Sequence, residues 1–334
     1  MWFLLSLCTW AENPEKPHVS TFGYESILIQ PNSFAMGSPK GDVDEIPHEV
    51  AITRPYYMGT TEVTVGFWKK VMGTAPWESP STECIRIGSE EPISHRFPVY
   101  CVDWFDAARF ANQLSDWERL EQCYHFEGER LVDSKGPACL GYRLPTETEW
   151  EYAAQATRLG TETLQELEEK LSALQKKYGR KKTIPRKFRA EIATLEAKIA
   201  EYREARKAKE WPYAGGSDVR TVGWYQENSN QQAQMTGLLK ANRAGIHDMS
   251  GNLWEWCHDW YGSYGTQKAN DPVGSAYGTY RVLRGGSFAS PEKDLRLHNR
   301  FRQYPTTKSN QIGFRLVRTA SPLPKLKREK DKPL

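Results

Sequence analysis

In "VDWFDAARFANQLSDWERL" the apolar positions Trp104, Ala108, Phe110, Ala111 and Leu114 fall on one face of a helix. The same period opens at "EVTVGFWKKVMG", where Thr64 is placed to cap the first turn and Gly73 to stop the last. A third helix is predicted in "TETEWEYAAQAT", with Thr146 as its cap and Glu149, three residues on, completing a capping box. Elsewhere the period drops to two. "ILIQPNSFAMGS" predicts a strand ending at Gly37, and "HEVAITRPYYMGTTEVT" a strand, a turn and a further strand. Short segments around Trp224, Trp254, Val282 and Phe314 read as strands separated by Gly, Asn and Asp. Short helices on an irregular sheet amount to an α+β domain.

One segment departs from this pattern. Residues 161–210 are rich in Glu, Lys, Ala and Leu and almost free of Gly and Pro. Leu164, Leu167, Leu171, Leu174 and Tyr178 recur at steps of three and four, as do Phe188, Ile192, Leu195, Ile199 and Tyr202. Between them the basic stretch "GRKKTIPRK" carries Gly179, which can end one helix, and Pro185, which can open the next. Two narrow apolar seams joined by a short loop predict an antiparallel helical hairpin of coiled-coil type. Such a hairpin either lies on its own domain or projects to meet a protein partner, and the pattern leaves both readings open.

Charge and composition narrow the class. The 45 basic and 42 acidic residues leave a net charge of +3, so no global field draws the chain to nucleic acid. Much of the basic excess lies in the tail, residues 319–334, which reads as a solvated end. Twelve Trp and sixteen Tyr with short aliphatic runs point to a loop-rich fold with an aromatic core. Residues 1–11 resemble the end of a secretory signal peptide cleaved after Ala11, which implies export to a periplasm or cell surface. Leu7 is too large for a good lipobox and weighs against a lipid anchor at Cys8. Nothing else in the chain has the length of apolar sequence needed to span a membrane.

Cysteine usage agrees with export. Four loop cysteines permit three pairings, of which neighbour with neighbour, Cys84–Cys101 and Cys123–Cys139, is the one expected. Reduced thiols in a cytosolic protein are the competing reading. Cys257, set among aromatics in "WEWCHDW", reads as a buried single thiol. Arg296, Arg300, Arg302 and Arg315 alternate beside apolar residues and are expected to pair with core carboxylates such as Glu147, Glu149 and Glu151.

"FAMGS", "YYMGTTEVT", "GYRLPTETEWEYAA", "GWYQENS", "GIHDMSGNLWEWCHDW", "RVLRGGSF" and "IGFRLVR" occur in this order. Together they resemble the formylglycine-generating-enzyme (sulfatase-modifying factor, FGE-sulfatase) family over residues 27–318, with the 161–210 hairpin as an insertion. The resemblance implies a C-type-lectin-like α+β domain with little regular secondary structure. It also implies a structural Ca²⁺ held by the Asp248 and Glu255 side chains and the Gly251 and Leu253 carbonyls, hard oxygen donors of the kind calcium prefers. A second calcium loop would follow "GWYQENS", but "NQQAQMTGLLKANRAG" departs too far from the pattern to assign ligands.

The family's oxidases carry two catalytic cysteines after the GGS-aromatic turn, and their thiolates bind copper. The matching positions here are Ser290 and Leu295. A hydroxyl is a poor ligand for soft Cu(I) and an alkyl group is none, so copper is not expected. The leading expectation is therefore a non-catalytic, exported recognition or scaffold protein. It would meet a protein partner through the hairpin or the former substrate groove. The alternative is a divergent oxidase of the same type acting on protein cysteine; a lectin working through calcium is a weaker third.

Overall fold

The computed structural model describes residues 17–78, 84, 94–155, 164–178, 184–208, 211–265 and 267–320, with only the backbone of 164–166 and 201–208. The signal-like residues 1–11, Cys8, the loop residues 179–183 and the tail beyond 320 lie outside them.

Five α-helices occur among the described residues: α1 (Val65–Met72), α2 (Trp104–Trp117), α3 (Glu147–Gln155), α4 (Leu164–Tyr178) and α5 (Arg186–Ala208). Local chemistry sets their ends. The Thr64 hydroxyl accepts from Phe67 N at 3.2 Å, and Gly73 closes α1 at φ 67°, where a Cβ would be strained. Thr146 and Glu149 bond reciprocally at the start of α3, at 3.1 and 2.9 Å. Asp103 and Asp106 form a second such box at α2, which the pattern had not shown.

Among the described residues four sheets carry the strands. The largest runs His18–Val19, Glu25–Ile29, Tyr56–Gly59, Val317–Thr319, Tyr142–Arg143, so strands from both ends of the domain share one sheet, with Tyr56–Gly59 between them. A second joins Ala269–Asn270, His48–Ile52 and Asn32–Met36; a third joins Arg300–Gln303, Arg281–Arg284, Trp254–Trp260 and Ile312–Gly313. The fourth is a hairpin, Tyr124–Glu127 with Arg130–Ser134.

Three sequence expectations change. "ILIQPNSFAMGS" is not one strand but parts of two, which end at Ile29 and begin at Asn32, because Pro31 has no N–H to give a ladder. Trp224 lies in no strand: it follows a 3₁₀ turn, and Asn228 ties the backbone of Gly223 and Tyr225 into a loop. The Tyr124–Ser134 hairpin was not anticipated; Gly128 turns it at φ 59°.

Helix α3 organises the centre. Its acidic residues Glu147, Glu149 and Glu151 are all buried, and each meets an arginine on a strand, two of them more than 130 residues away. Arg300 grips Glu147 at 2.6 and 2.8 Å, Arg143 grips Glu149 at 2.6 and 2.7 Å, and Arg284 pairs with Glu151. Burial would raise the Glu151 carboxyl, but Arg284 and the bond from His298 outweigh it and hold it down at about 2. Of the four arginines expected to pair with core carboxylates, Arg300 takes Glu147 as expected, two take other acids and Arg302 stacks on a ring instead. Arg296 reaches Asp42 and Glu45, Arg315 takes Glu255, and Arg302 lies over the Tyr261 ring.

Among the described residues there are two disulfides, Cys84–Cys101 and Cys123–Cys139, and Cys257 is a buried free thiol. Helices α4 and α5 pack on each other, with Leu167, Leu195 and Ile199 buried along the seam and Leu171 and Leu174 against them. Tyr178 stacks on Phe188 at 4.4 Å, so the end of α4 meets the start of α5 and the pair is antiparallel. Among the described residues no helix is long and apolar enough to cross a membrane.

Candidate functional site

Residues 248–253 coil tightly before entering the Trp254–Trp260 strand. Asp248, Gly251 and Asn252 all take positive φ, at 58°, 94° and 65°. Gly251 has no alternative: a Cβ there would stand 2.2 Å from the Trp224 carbonyl oxygen. Three of the four expected calcium ligands therefore lie on this coil and Glu255 at the start of the strand, and the two carboxylates differ sharply in how they are satisfied.

Glu255 is fully engaged. Arg315 donates Nε and Nη2 to its two oxygens at 2.7 Å each, and Trp150 adds its indole N–H at 2.8 Å. Asp248 is half engaged: Oδ2 accepts from Gly237 N at 2.7 Å, while buried Oδ1 has no partner among the described residues. A third carboxylate, Glu62, lies beside them. Its Oε1 accepts from Asn252 Nδ2 at 3.0 Å and its Oε2 is again buried and unpartnered. Burial pushes Glu62 well up, with Asp248 and Glu255 adding to it, and burial also raises Asp248. Three buried carboxylates against one arginine leave negative charge uncompensated, which a proton or a hard cation would settle.

This donor chemistry fits calcium, which takes oxygen ligands in flexible number. Even so, among the described residues no three acidic, His or Cys side chains converge at metal-ligating spacing. Glu62 was missed from the sequence. Its only signal is a lone carboxylate before Val63 at the end of a strand pattern.

The second candidate site is welded to this coil. Gly251 N donates to the Gly285 carbonyl and Phe288 N to that of Asn252, both at 2.8 Å. Beyond the Gly285–Gly286 turn, the Ser290 hydroxyl accepts from Ser287 N at 3.0 Å. It also lies 3.1 Å from the Ser287 hydroxyl, which donates to Gln311 at 2.9 Å. Leu295 is fully buried with Tyr213, Val219, Val222 and Tyr225. Its methyl groups fill the space a Cβ would need on Gly223, Gly251 and Gly286, at 2.8–3.0 Å. One position is a tied hydroxyl and the other is core. Neither is a soft metal ligand.

Comparison with known proteins decides the family. The model of the sulfatase-modifying factor enzyme 1-like domain matches residues 12–320. The chain belongs to this FGE-sulfatase family. A protein of Chlamydia pneumoniae named serine/threonine-protein kinase pkn1 is 26% identical over 321 residues, covering 91% of this chain but 39% of its own length. The chain thus spans well under half of that relative. The chaperone protein LppX of Paenibacillus barcinonensis is 25% identical over 265 residues, 70% of each. A formylglycine-generating enzyme of Streptomyces coelicolor is 26% identical over 261 residues, 76% of this chain and 61% of its own. Among solved structures, Treponema denticola variable protein 1 aligns with TM-score 0.66 at 25% identity, covering 91% of this chain and 98% of its own. PvdO from Pseudomonas aeruginosa aligns with TM-score 0.61 at 21% identity, covering 93% and 100%, and speaks for the fold alone. The FGE-sulfatase fold, an α+β domain, is therefore the frame on which these sites sit.

Proposed function

We propose that this FGE-sulfatase domain is a non-catalytic, exported recognition or scaffold component of a larger protein assembly. The observation that carries the reading is the state of Ser290 and Leu295. Where the family's oxidases are expected to hold copper between two thiolates, this chain has a hydroxyl tied to Ser287 and a leucine packed in the core. Soft Cu(I) finds no ligand in that pair. Relatives named as a kinase and as a chaperone support a frame reused for different ends rather than one chemistry. The two disulfides are compatible with an oxidising compartment.

The proposed calcium would rest on Asp248, Glu255 and the Gly251 and Leu253 carbonyls, with Glu62 as a further acidic neighbour. When bound it would supply positive charge to the buried carboxylates and hold the coil against the Gly285 turn. It takes no part in a reaction.

Copper(I) titration, together with oxygen uptake in the presence of a cysteine-containing peptide, tests the reading. No stoichiometric copper binding and no oxygen consumption above the peptide's own rate are expected. Turnover of the peptide cysteine would overturn it.

A further inference from the structure

Four of the large buried arginines, Arg143, Arg284, Arg300 and Arg315, each meet a carboxylate. Arg281 does not. It is 4% exposed, and its guanidinium carbon lies 3.8 Å from the ring centre of Trp104 and 3.6 Å from that of Trp260. Nη1 donates to the His258 carbonyl, while the Nε–H is buried with no acceptor. Among the described residues no carboxylate ion-pairs with it. Burial accordingly lowers Arg281 to about 10. The Asp259 carboxyl acts on Arg281 through space, but burial and Glu147 push it up to about 8, so it is a poor counter-ion at neutral pH.

The guanidinium is not sealed off. Arg281, His258 and Trp260 line a cavity of about 460 Å³ whose other walls include Val132, Val273 and Tyr277. Those three are exposed, Tyr277 by 83%, and give the mouth an apolar side, while exposed Asp133 and Lys135 stand on its polar side. His258 contributes a second donor. Burial holds it neutral, with its pKa near 3. The Tyr124 hydroxyl accepts from Leu144 N at 3.0 Å and so has its own proton to give to His258 Nδ1, 3.3 Å away. The remaining imidazole proton is then on Nε2. That nitrogen is 3.9 Å from where a Cβ would stand on Gly136, which lines the same cavity. Lys135 at the rim is engaged by Glu121 at 2.7 Å.

We propose that this cavity binds a single carboxylate carried on an apolar or aromatic body, with Arg281 receiving it edge-on and His258 Nε2–H as the second donor. Two indoles pressed this close leave the guanidinium open only along its edge, the approach that suits a planar carboxylate. One unengaged cation matches one negative charge, not the two of a phosphomonoester. The apolar side of the mouth suits the body behind the carboxylate. The ligand's source is either a small carboxylic acid or the C-terminus of a polypeptide. The site lies apart from Ser290 and Leu295 and stands whether or not that face binds a partner.

Calorimetric titration of the whole protein tests this with phenylacetate, phenylacetamide, phenyl phosphate, and a tripeptide ending in Phe as free acid and as amide. Saturable binding of phenylacetate or of the free-acid peptide is expected, and which of the two binds identifies the source. Each amide should bind at least about tenfold more weakly, because a charge-assisted fork is lost. Arg281→Lys keeps the charge but not the fork and should cost about as much. If that variant does not fold, Tyr277→Glu places a negative charge on the exposed rim and should weaken the acid several-fold in a folded protein. Four results would each overturn the proposal: neither acid binding at millimolar concentration, amides equal to acids, phenyl phosphate binding more tightly than phenylacetate, or unchanged affinity in the folded variants.

Discussion

Arg315 holds both oxygens of Glu255 at 2.7 Å, and neither side chain is exposed to water. The same guanidinium donates to the Gly59 and His247 carbonyls at 3.1 and 2.9 Å, so it ties the first sheet to the coil that begins at Asp248. Removing it should be worse than removing its partner. Arg315→Met leaves Glu255, Asp248 and Glu62 buried together without a cation. The expected loss is about 3–5 kcal/mol, the cost of an uncompensated buried charge. Glu255→Gln leaves an arginine with two other carboxylates at hand and should cost clearly less. Urea unfolding at pH 7 measures both; equal losses would mean that Glu62 and Asp248 carry no charge in the folded chain.

The packing of Leu295 gives a second measurable consequence. Its methyl groups rest against three glycines and close a small aromatic cluster, so truncation leaves a cavity that those glycines cannot refill. Leu295→Ala should destabilise by about 2–5 kcal/mol. Ser290→Ala, which loses bonds shared with Ser287, should cost only about 1 kcal/mol. If the two cost the same, position 295 is not the core residue its burial indicates.

The coil should also show its charge in the pH dependence of stability. Glu62 and Asp248 have raised folded pKa values, so between the ordinary carboxylate range and those values the folded state binds more protons than the unfolded state. Stability then falls as pH rises through that window. Asp259, raised to about 8, acts with the same sign from the ordinary carboxylate range up to about pH 8. In chelator, melting temperature should drop from pH 5 to pH 8, and Asp259→Asn should remove part of the slope. Added calcium should raise melting more at pH 8 than at pH 5, because fewer protons compete with the ion as pH rises. Melting that ignores both chelator and calcium would leave Asp248–Glu255 as a turn only.

Which of these relationships a sequence can show depends on how local they are. The caps at Thr64, Gly73 and Thr146 are legible because donor and acceptor lie within a few residues. The apolar face of α2 is legible because its period survives in the fold, and all five of its predicted residues are fully buried. Disulfide partners 16 and 17 residues apart are the shortest pairings on offer. Arg284 and Glu151 are 133 residues apart, and no periodicity says which acid of α3 meets which strand. Glu62 and Arg281 were invisible for the same reason. Each matters through what it lacks, and a missing partner is a property of the assembled core.

The α4–α5 pair gives the last test. Its buried seam of Leu167, Leu195 and Ile199 faces inward between the two helices. The chain on either side is anchored without it. Asn242 Nδ2 donates to the Ala153 carbonyl at 2.8 Å near the end of α3. Leu297 N donates to the Pro212 carbonyl at 2.7 Å just after the return. We therefore expect the domain to fold when residues 158–209 are replaced by about six Gly/Ser residues, a link reaching roughly 12–15 Å. The variant should keep both disulfides, its near-ultraviolet aromatic signal and a melting temperature within about 5 °C of the parent. What it should lose, if the proposed binding role of the hairpin holds, is association with an acidic protein partner, which the exposed Arg186 and Lys187 at the start of α5 would steer by charge. A deletion variant that unfolds makes the hairpin part of the core. One that folds and keeps every partner strips the hairpin of a binding role.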